Sequence, residues 1–167
     1  MITQKELKQE IQYETDTGLF YWLINKPGRQ MNIKVGCIDK DKNYLIITID
    51  GISYGAHRLA WLYYYGQFPN GQIDHKNQNR QDNRIDNLRD VSPSTNMKNK
   101  SKYRNNNSGV VGVRFCKKAK VWIAQIGVDK KVIYLGSFKD KAEAISVRKD
   151  AEIAFGFHPN HGLFKEW

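Results

Sequence analysis

An aspartate directly followed by a histidine, Asp74-His75, with Asn87 twelve residues on and Asn96 nine beyond that, is the group of side chains best suited to chemistry in this chain. Hydrolysis of a phosphodiester needs a nucleophilic water and a way to neutralise charge on the phosphorane and the leaving oxygen. A histidine that titrates near neutral pH can take the proton of the water. A hard divalent cation, Mg²⁺ or Mn²⁺, suits the second task and prefers oxygen ligands. Asp74 offers a carboxylate and Asn96 a side-chain carbonyl. From the dipeptide alone, a turn cap in a polar loop is the simpler reading. The wider pattern decides between the two.

Three elements must position such a group. Gln72-Ile73-Asp74-His75 reads as a short strand. A long polar loop, Lys76 to Arg84, follows it, and Leu88-Arg89-Asp90-Val91 returns as the partner strand. Ser92-Pro93 then opens a helix with proline in its first turn, and that helix carries Asn96 and Lys98. If the two strands pair, the helix folds back and sets Asn96 opposite Asp74.

Upstream, Thr3 caps a helix expected to run to about Tyr13, with Leu7 and Ile11 on one face. Residues 18–23, GLFYWL, read as a strand. Tyr44 to Ile49, then Asp50-Gly51, then Ile52 to Tyr54 give a strong hairpin signal, because Asp-Gly tolerates the positive φ angles of a tight turn. His57 to Tyr65 is an apolar helix ended by Gly66. Within it, core packing claims at least one or two of Tyr63, Tyr64 and Tyr65. His57 is open to two readings, a buried histidine at the hairpin–helix junction or a contact at the edge of the site.

Residues 99–108, NKSKYRNNNS, are polar, basic and rich in asparagine, and read as a linker. Lys98, Lys100, Lys102 and Arg104 alternate there with polar residues, which favours contact with phosphates. Beyond Gly109, Val111, Val113 and Phe115 alternate with Gly112, Arg114 and Cys116 as one strand. Trp122, Ala124 and Ile126 mark a second, and Val132 to Leu135 a third. Asp140 and Glu143 open a helix that carries Ala144, Val147, Ala151 and Ala154 inward. A three-stranded meander backed by one helix is the economical packing. His158 and His161 are read as a surface loop.

The sequence of 167 residues has a formal charge of +10. Residues 1–100 hold 14 basic and 11 acidic residues, a net of +3, and residues 101–167 hold 13 and 6, a net of +7. The excess favours a polyanionic partner and concentrates toward the C-terminus. No apolar run is long enough to cross a bilayer, and MITQKELKQE has no apolar core, so no membrane association or secretory signal is expected. Cys37 and Cys116 are isolated and read as free thiols of a reducing compartment.

Tyr54-Gly55-Ala56-His57-Arg58-Leu59-Ala60-Trp61, then Ile73-Asp74-His75-Lys76-Asn77, then Asp82 to Arg89 and Thr95-Asn96 resemble the phage-type HNH homing endonucleases with a ββα-metal core. The resemblance covers roughly residues 15–100. It implies that His75 is the general base, that Asp74 and Asn96 bind Mg²⁺ or Mn²⁺, and that Asn87 holds the loop so that the histidine faces the phosphate. Asn83 is a second candidate for that last role. The third motif letter is asparagine, which disfavours softer metals such as zinc, and no structural zinc is expected.

The C-terminal segment resembles the APETALA/ERF-type DNA-binding domain through Gly112-Val113-Arg114, Trp122 to Ile126, Tyr134 to Phe138 and the alanine-rich helix. That resemblance implies a sheet lying in the major groove with Arg114, Gln125 and Tyr134 toward the bases. Cys116, Gly127 and Val132 stand where the plant domains carry arginine. Lys117, Lys118, Lys130 and Lys131 are expected on phosphates, together with Lys100, Lys102 and Arg104.

The expected fold is α+β. Residues 1–98 would form a nuclease domain with an N-terminal β-hairpin region and a ββα-metal core at about 71–100. A basic linker at 99–108 leads to a DNA-binding domain at 109–167, a small three-stranded antiparallel sheet packed on one helix. The expected function is a metal-dependent endonuclease that cuts double-stranded DNA in the cytoplasm (the host's, if the gene is phage-borne) and leaves 5′-phosphate and 3′-hydroxyl ends. No obligate protein partner is evident. The rivals are a non-catalytic DNA-binding regulator that uses the same core as scaffold, and a protein acting on RNA.

Overall fold

The computed structural model describes residues 1–99, 102, 106 and 108–163. Lys100 and Arg104, expected on phosphates, lie outside the described residues. The chain divides into two compact units, Met1–Ser92 and Pro93–Trp167. The architecture is mixed, with small antiparallel sheets and four α-helices among the described residues.

In the first unit, Thr3 accepts from the Glu6 backbone while the Glu6 carboxylate accepts from the Thr3 backbone, a reciprocal cap that starts α1 (Gln4–Glu10). The helix stops three residues short of Tyr13. Ile11 and Tyr13 are both buried with Gln12 exposed between them, a period of two. The segment therefore leaves the helix as β1 (Ile11–Tyr13) and pairs with β2 (Phe20–Trp22), Ile11 opposite Trp22.

A second sheet runs β3 (Cys37–Ile38), β4 (Leu45–Ile49), β5 (Ile52–Gly55) in sequential antiparallel order. Leu45, Ile47 and Ile49 point into the core, and Thr48 points out. Asp50 at φ 48° and Gly51 at φ 79° make the expected two-residue turn. The apolar helix α2 (Ala56–Tyr65) then buries Leu59, Ala60 and Leu62 against the core formed by Leu7, Ile11, Phe20 and Ile47. Of the three consecutive tyrosines, Tyr63 joins that core, whereas Tyr64 and Tyr65 are exposed.

The last pair of this unit is β6 (Gln72–His75) with β7 (Leu88–Val91). The register sets Asp74 opposite Arg89 and His75 opposite Leu88. Ile73 and Leu88 tie the pair to the main core.

The second unit opens with a short helix, α3 (Pro93–Met97). Its neighbourhood is bound to the rest of that unit. Ser94 Oγ donates to Asp129 (2.9 Å), Lys98 Nζ donates to the carbonyl of Phe155 (2.8 Å), and the His158 amide donates to the carbonyl of Lys98 (3.1 Å). Asn99 and Ser108, at the two ends of the segment read as linker, are both buried.

A meander follows, β8 (Val113–Cys116), β9 (Val121–Val128) and β10 (Lys131–Phe138), with β9 central. The helix α4 (Lys141–Ala154) packs on it after Asp140 caps the amide of Glu143. Ala144 and Ala151 face inward as expected, but Ala154 is exposed, and the inward positions around them belong to Arg148 and Glu152. Arg148 Nη1 lies 3.1 Å from Glu152 Oε1, and its guanidinium sits 5.4 Å from the Phe157 ring. His161 lies beside this cluster, 3.5 Å from Arg148 Nη2, and is buried rather than part of a surface loop.

Candidate active site

The β6–β7 pair and the loop between its strands hold four buried polar side chains: Asp74, His75, Asn83 and Asn87, each less than a tenth exposed. Burial of this kind is stable only when the groups are hydrogen-bonded. Asp74 meets its cross-strand neighbour: Arg89 Nε and Nη2 both donate to Asp74 Oδ2, at 2.8 and 2.6 Å. This contact follows directly from the strand register and anchors the carboxylate at the end of β6.

His75 Nε2 lies 3.4 Å from Asn83 Oδ1. The amide orientation is supported from its other end, because Asn83 Nδ2 donates to the carbonyl of Gln81 (3.1 Å). An oxygen facing Nε2 calls for a proton there, which leaves the lone pair on Nδ1. Burial pushes the pKa of His75 below the ordinary histidine value, against the opposing effects of the Asn83 hydrogen bond and the Asp74 charge. The imidazole is therefore neutral at pH 7, the form a base requires.

Asn87 acts on the loop. Its Oδ1 accepts from the Asn77 amide (3.0 Å) and its Nδ2 donates to the carbonyl of Asp82 (2.8 Å). Asn77 Nδ2 in turn donates to Asp82 (2.6 Å), whose carboxylate also takes Arg84 Nε at 2.8 Å. Loop residues 76–87 are thus closed by asparagine and aspartate side chains. This composition favours local side-chain-to-backbone bonds, so a stretch that reads as merely polar is in fact tightly wired.

The loop is also braced from the N-terminus. Tyr13 Oη donates to the carbonyl of Asn83 (2.7 Å), and burial together with the nearby Asp82 and Asp86 charges raises the phenol's pKa. Gly18, at φ 72°, lets the turn before β2 press against the same segment: a Cβ there would lie 2.5 Å from the Arg84 nitrogen. The Ile85 amide donates to the carbonyl of Thr15 (3.2 Å).

One wall of the site is aromatic. The His57 ring stands edge-on to His75 at 5.4 Å, and Tyr44 lies 4.8 Å from His57 and 5.9 Å from His75. Arg80 covers the Tyr44 ring at 4.9 Å. Buried His57 Nδ1 has no hydrogen-bond partner. Burial, then the His75 and Arg58 charges, lower the His57 pKa to about 3. His57 is thus a half-buried histidine at the hairpin–helix junction, its Nδ1 fully enclosed, and also a neighbour of His75. Tyr44, Arg89, Asn77 and Tyr13 were not singled out from sequence. Only Arg89 carried a readable signal, its place opposite Asp74 once the two strands are aligned.

Asn96 sits on α3, within the second unit. Among the described residues no group of three or more His, Cys, Asp and Glu side chains could hold a metal ion. A lone carboxylate fits a different arrangement. Mg²⁺ keeps several waters and is commonly held by one or two carboxylates plus substrate phosphates. The anchored carboxylate of Asp74 suits that arrangement.

In the second unit, register places Arg114, Ile123 and Ser137 in one row across the sheet, with Gln125 opposite Tyr134. Val113, Ala124 and Ile126 are buried against α4, so these alternate residues share the opposite, open face. Lys117 and Lys118 occupy the β8–β9 turn. Lys130, at φ 64°, occupies the β9–β10 turn and Lys131 begins β10. Lys102 lies before the sheet, and its Nζ is 3.4 Å from the carbonyl of Gly109.

Comparison with known families matches residues 54–98 to the HNH endonuclease family. No curated protein and no solved structure matches the chain. The matched segment holds α2, the β6–β7 pair and α3, so Asp74, His75, Asn87 and Asn96 all fall within the part that matches the HNH endonuclease family. Among the described residues no helix is long and apolar enough to cross a membrane.

Proposed function

We propose that this protein is a metal-dependent endonuclease of the homing type that hydrolyses phosphodiester bonds in double-stranded DNA. The observation that carries this reading is the buried His75, neutral and tied through Nε2 to Asn83, beside the anchored carboxylate of Asp74. In this reading His75 Nδ1 takes a proton from the water that attacks phosphorus. Asn83 fixes the tautomer, and Asn87 keeps the loop closed so that the imidazole does not swing away. Asp74 and Asn96 would hold Mg²⁺ or Mn²⁺, which when bound supplies positive charge to the phosphate and the leaving 3′-oxygen. The ends left are a 5′-phosphate and a 3′-hydroxyl.

The nuclease domain comprises residues 1–98 in this reading, and residues 109–167 form the DNA-binding module. That module presents the open face of its sheet to the major groove, with Arg114, Gln125 and Tyr134 toward the bases and the turn lysines on phosphates. Its resemblance to the APETALA/ERF-type domain and the +7 charge of residues 101–167 support this assignment.

Incubation of supercoiled plasmid and phage genomic DNA with the full chain tests the proposal. Nicking or linearisation is expected with Mg²⁺ or Mn²⁺ and loss of it in Asp74→Ala, while calorimetric Mn²⁺ titration should show weakened binding in the same variant. Undiminished cleavage in excess EDTA overturns the metal-dependent reading.

A further inference from the structure

The open face of the β8–β10 sheet changes character along its length. At one end a row of Arg114, Ile123 and Ser137 carries a guanidinium. Two residues along, Gln125 pairs with Tyr134, and two further, Gly127 pairs with Val132. Val132 is 69% exposed and Tyr134 61%, two large side chains two apart on the edge strand β10. Gly127 faces the same way, and the space where its Cβ would stand holds only the Lys131 carbonyl oxygen, 4.0 Å off. The result is a shallow recess floored by backbone and walled by the methyls of Val132 and the ring of Tyr134. Neither a valine nor a glycine side position can donate or accept a hydrogen bond, so at these two positions contact with a base edge is apolar.

The charge on this unit selects the partner. Lys117, Lys118 and Lys120 stand in the turn at one end of the β9 strand, and Lys130 stands at the other. A face bounded at both ends by ammonium groups is complementary to a duplex whose phosphates run on either side of a groove. In the major groove one base edge is apolar, the C5-methyl of thymine.

We infer that the tip of the β9–β10 hairpin reads thymine 5-methyl groups, seated over Gly127 against Val132 and Tyr134, while Arg114 reads the polar end of the site. This rests on the duplex-DNA reading proposed above and adds to it the class of target, a site rich in A·T pairs where the hairpin tip lies. Selectivity at those pairs comes from apolar contact and is lost when the methyl is removed.

The test uses the full chain in EDTA, so that binding is read without cleavage. A labelled random-sequence duplex pool is competed with poly(dA-dT), in which every pyrimidine carries the methyl, and with poly(dA-dU), in which none does. The alternating polymer with thymine is expected to compete better by roughly fourfold for each methyl buried. Val132→Ser removes both methyls at an exposed position, and it should bring the ratio toward one while leaving the salt dependence of binding intact. If wild type binds both polymers equally and with the same salt dependence, the methyl inference is wrong while the duplex-DNA reading stands. If neither polymer nor the pool binds, the duplex-DNA reading fails and the inference with it. An unchanged ratio in Val132→Ser also overturns the inference, because the discrimination then lies elsewhere in the chain.

Discussion

The two units treat their polar and apolar side chains in opposite ways. In the first, Asp74, His75, Asn83 and Asn87 are buried and fixed by named partners. In the second, the buried ion cluster of Arg148 and Glu152 supports α4, while the residues proposed to meet DNA stand exposed on one sheet face. Chemistry needs a base held in one tautomer and orientation, and burial with hydrogen bonds supplies that. Recognition of a groove needs side chains that can be desolvated by the partner. A substitution in the buried polar group of the first unit should therefore change turnover, and one on the open sheet face of the second should change binding.

The largest expected effect is on turnover alone. His75→Ala should lower the cleavage rate by about 10²-fold or more, with duplex affinity within about twofold of wild type, measured by single-turnover cleavage beside a binding titration. A matched loss of affinity would break the division between the units.

Acid should expose the cost of desolvating the His57 imidazole. His57 titrates near 3 in the fold and near the ordinary 6.5 when unfolded. Its depressed pKa means the unfolded state binds the extra proton first, so stability is whole above about pH 6.5 and falls progressively toward pH 3. The slope is about 1.4 kcal/mol per pH unit for one such group. His57→Phe should flatten this limb of a denaturant-midpoint profile, and an identical limb in the variant would remove His57 as its source.

Gly18→Ala tests whether the site depends on its remote brace. A left-handed φ costs a non-glycine residue about 1–2 kcal/mol, and the methyl also meets the Arg84 nitrogen at 2.5 Å. A loss of about 2 kcal/mol or more is expected by chemical denaturation, with slower cleavage even where the variant is fully folded. The smallest effects belong to the exposed lysines. Lys117→Ala and Lys130→Ala should each reduce the slope of log affinity against log salt by roughly one, with cleavage of bound DNA unchanged.

Local signals carried most of the secondary structure because they are local in origin. The Thr3 cap, the Asp50-Gly51 turn, the alternation of Leu45, Ile47 and Ile49, and the pairing of Ile73–His75 with Leu88–Val91 were all legible from neighbouring residues. The end of α1 was not, since Ile11 suits a helix face as well as a strand, and only its pairing with Trp22 decides. Arg148 and Glu152 in the core of α4 were missed for the opposite reason: each is ordinarily a surface residue and is buried here by the other. Asp74 and His75 were legible as a candidate pair, and the structure buries both on one strand. The supports of that pair were not, because Tyr13, Tyr44 and Gly18 reach it through contacts far apart in sequence.

That distance has a kinetic consequence. Tyr13 and Asn83 are separated by 70 positions, and the bond between them helps hold the segment that orients His75. Closing so long a stretch of chain comes late and slowly compared with hairpins and single helices. A nascent chain that has made the β6–β7 pair but not yet docked its N-terminal strand holds the histidine without its tether. Nuclease activity should thus switch on only as folding of the first unit is completed, so that incomplete or partly unfolded copies do no cutting.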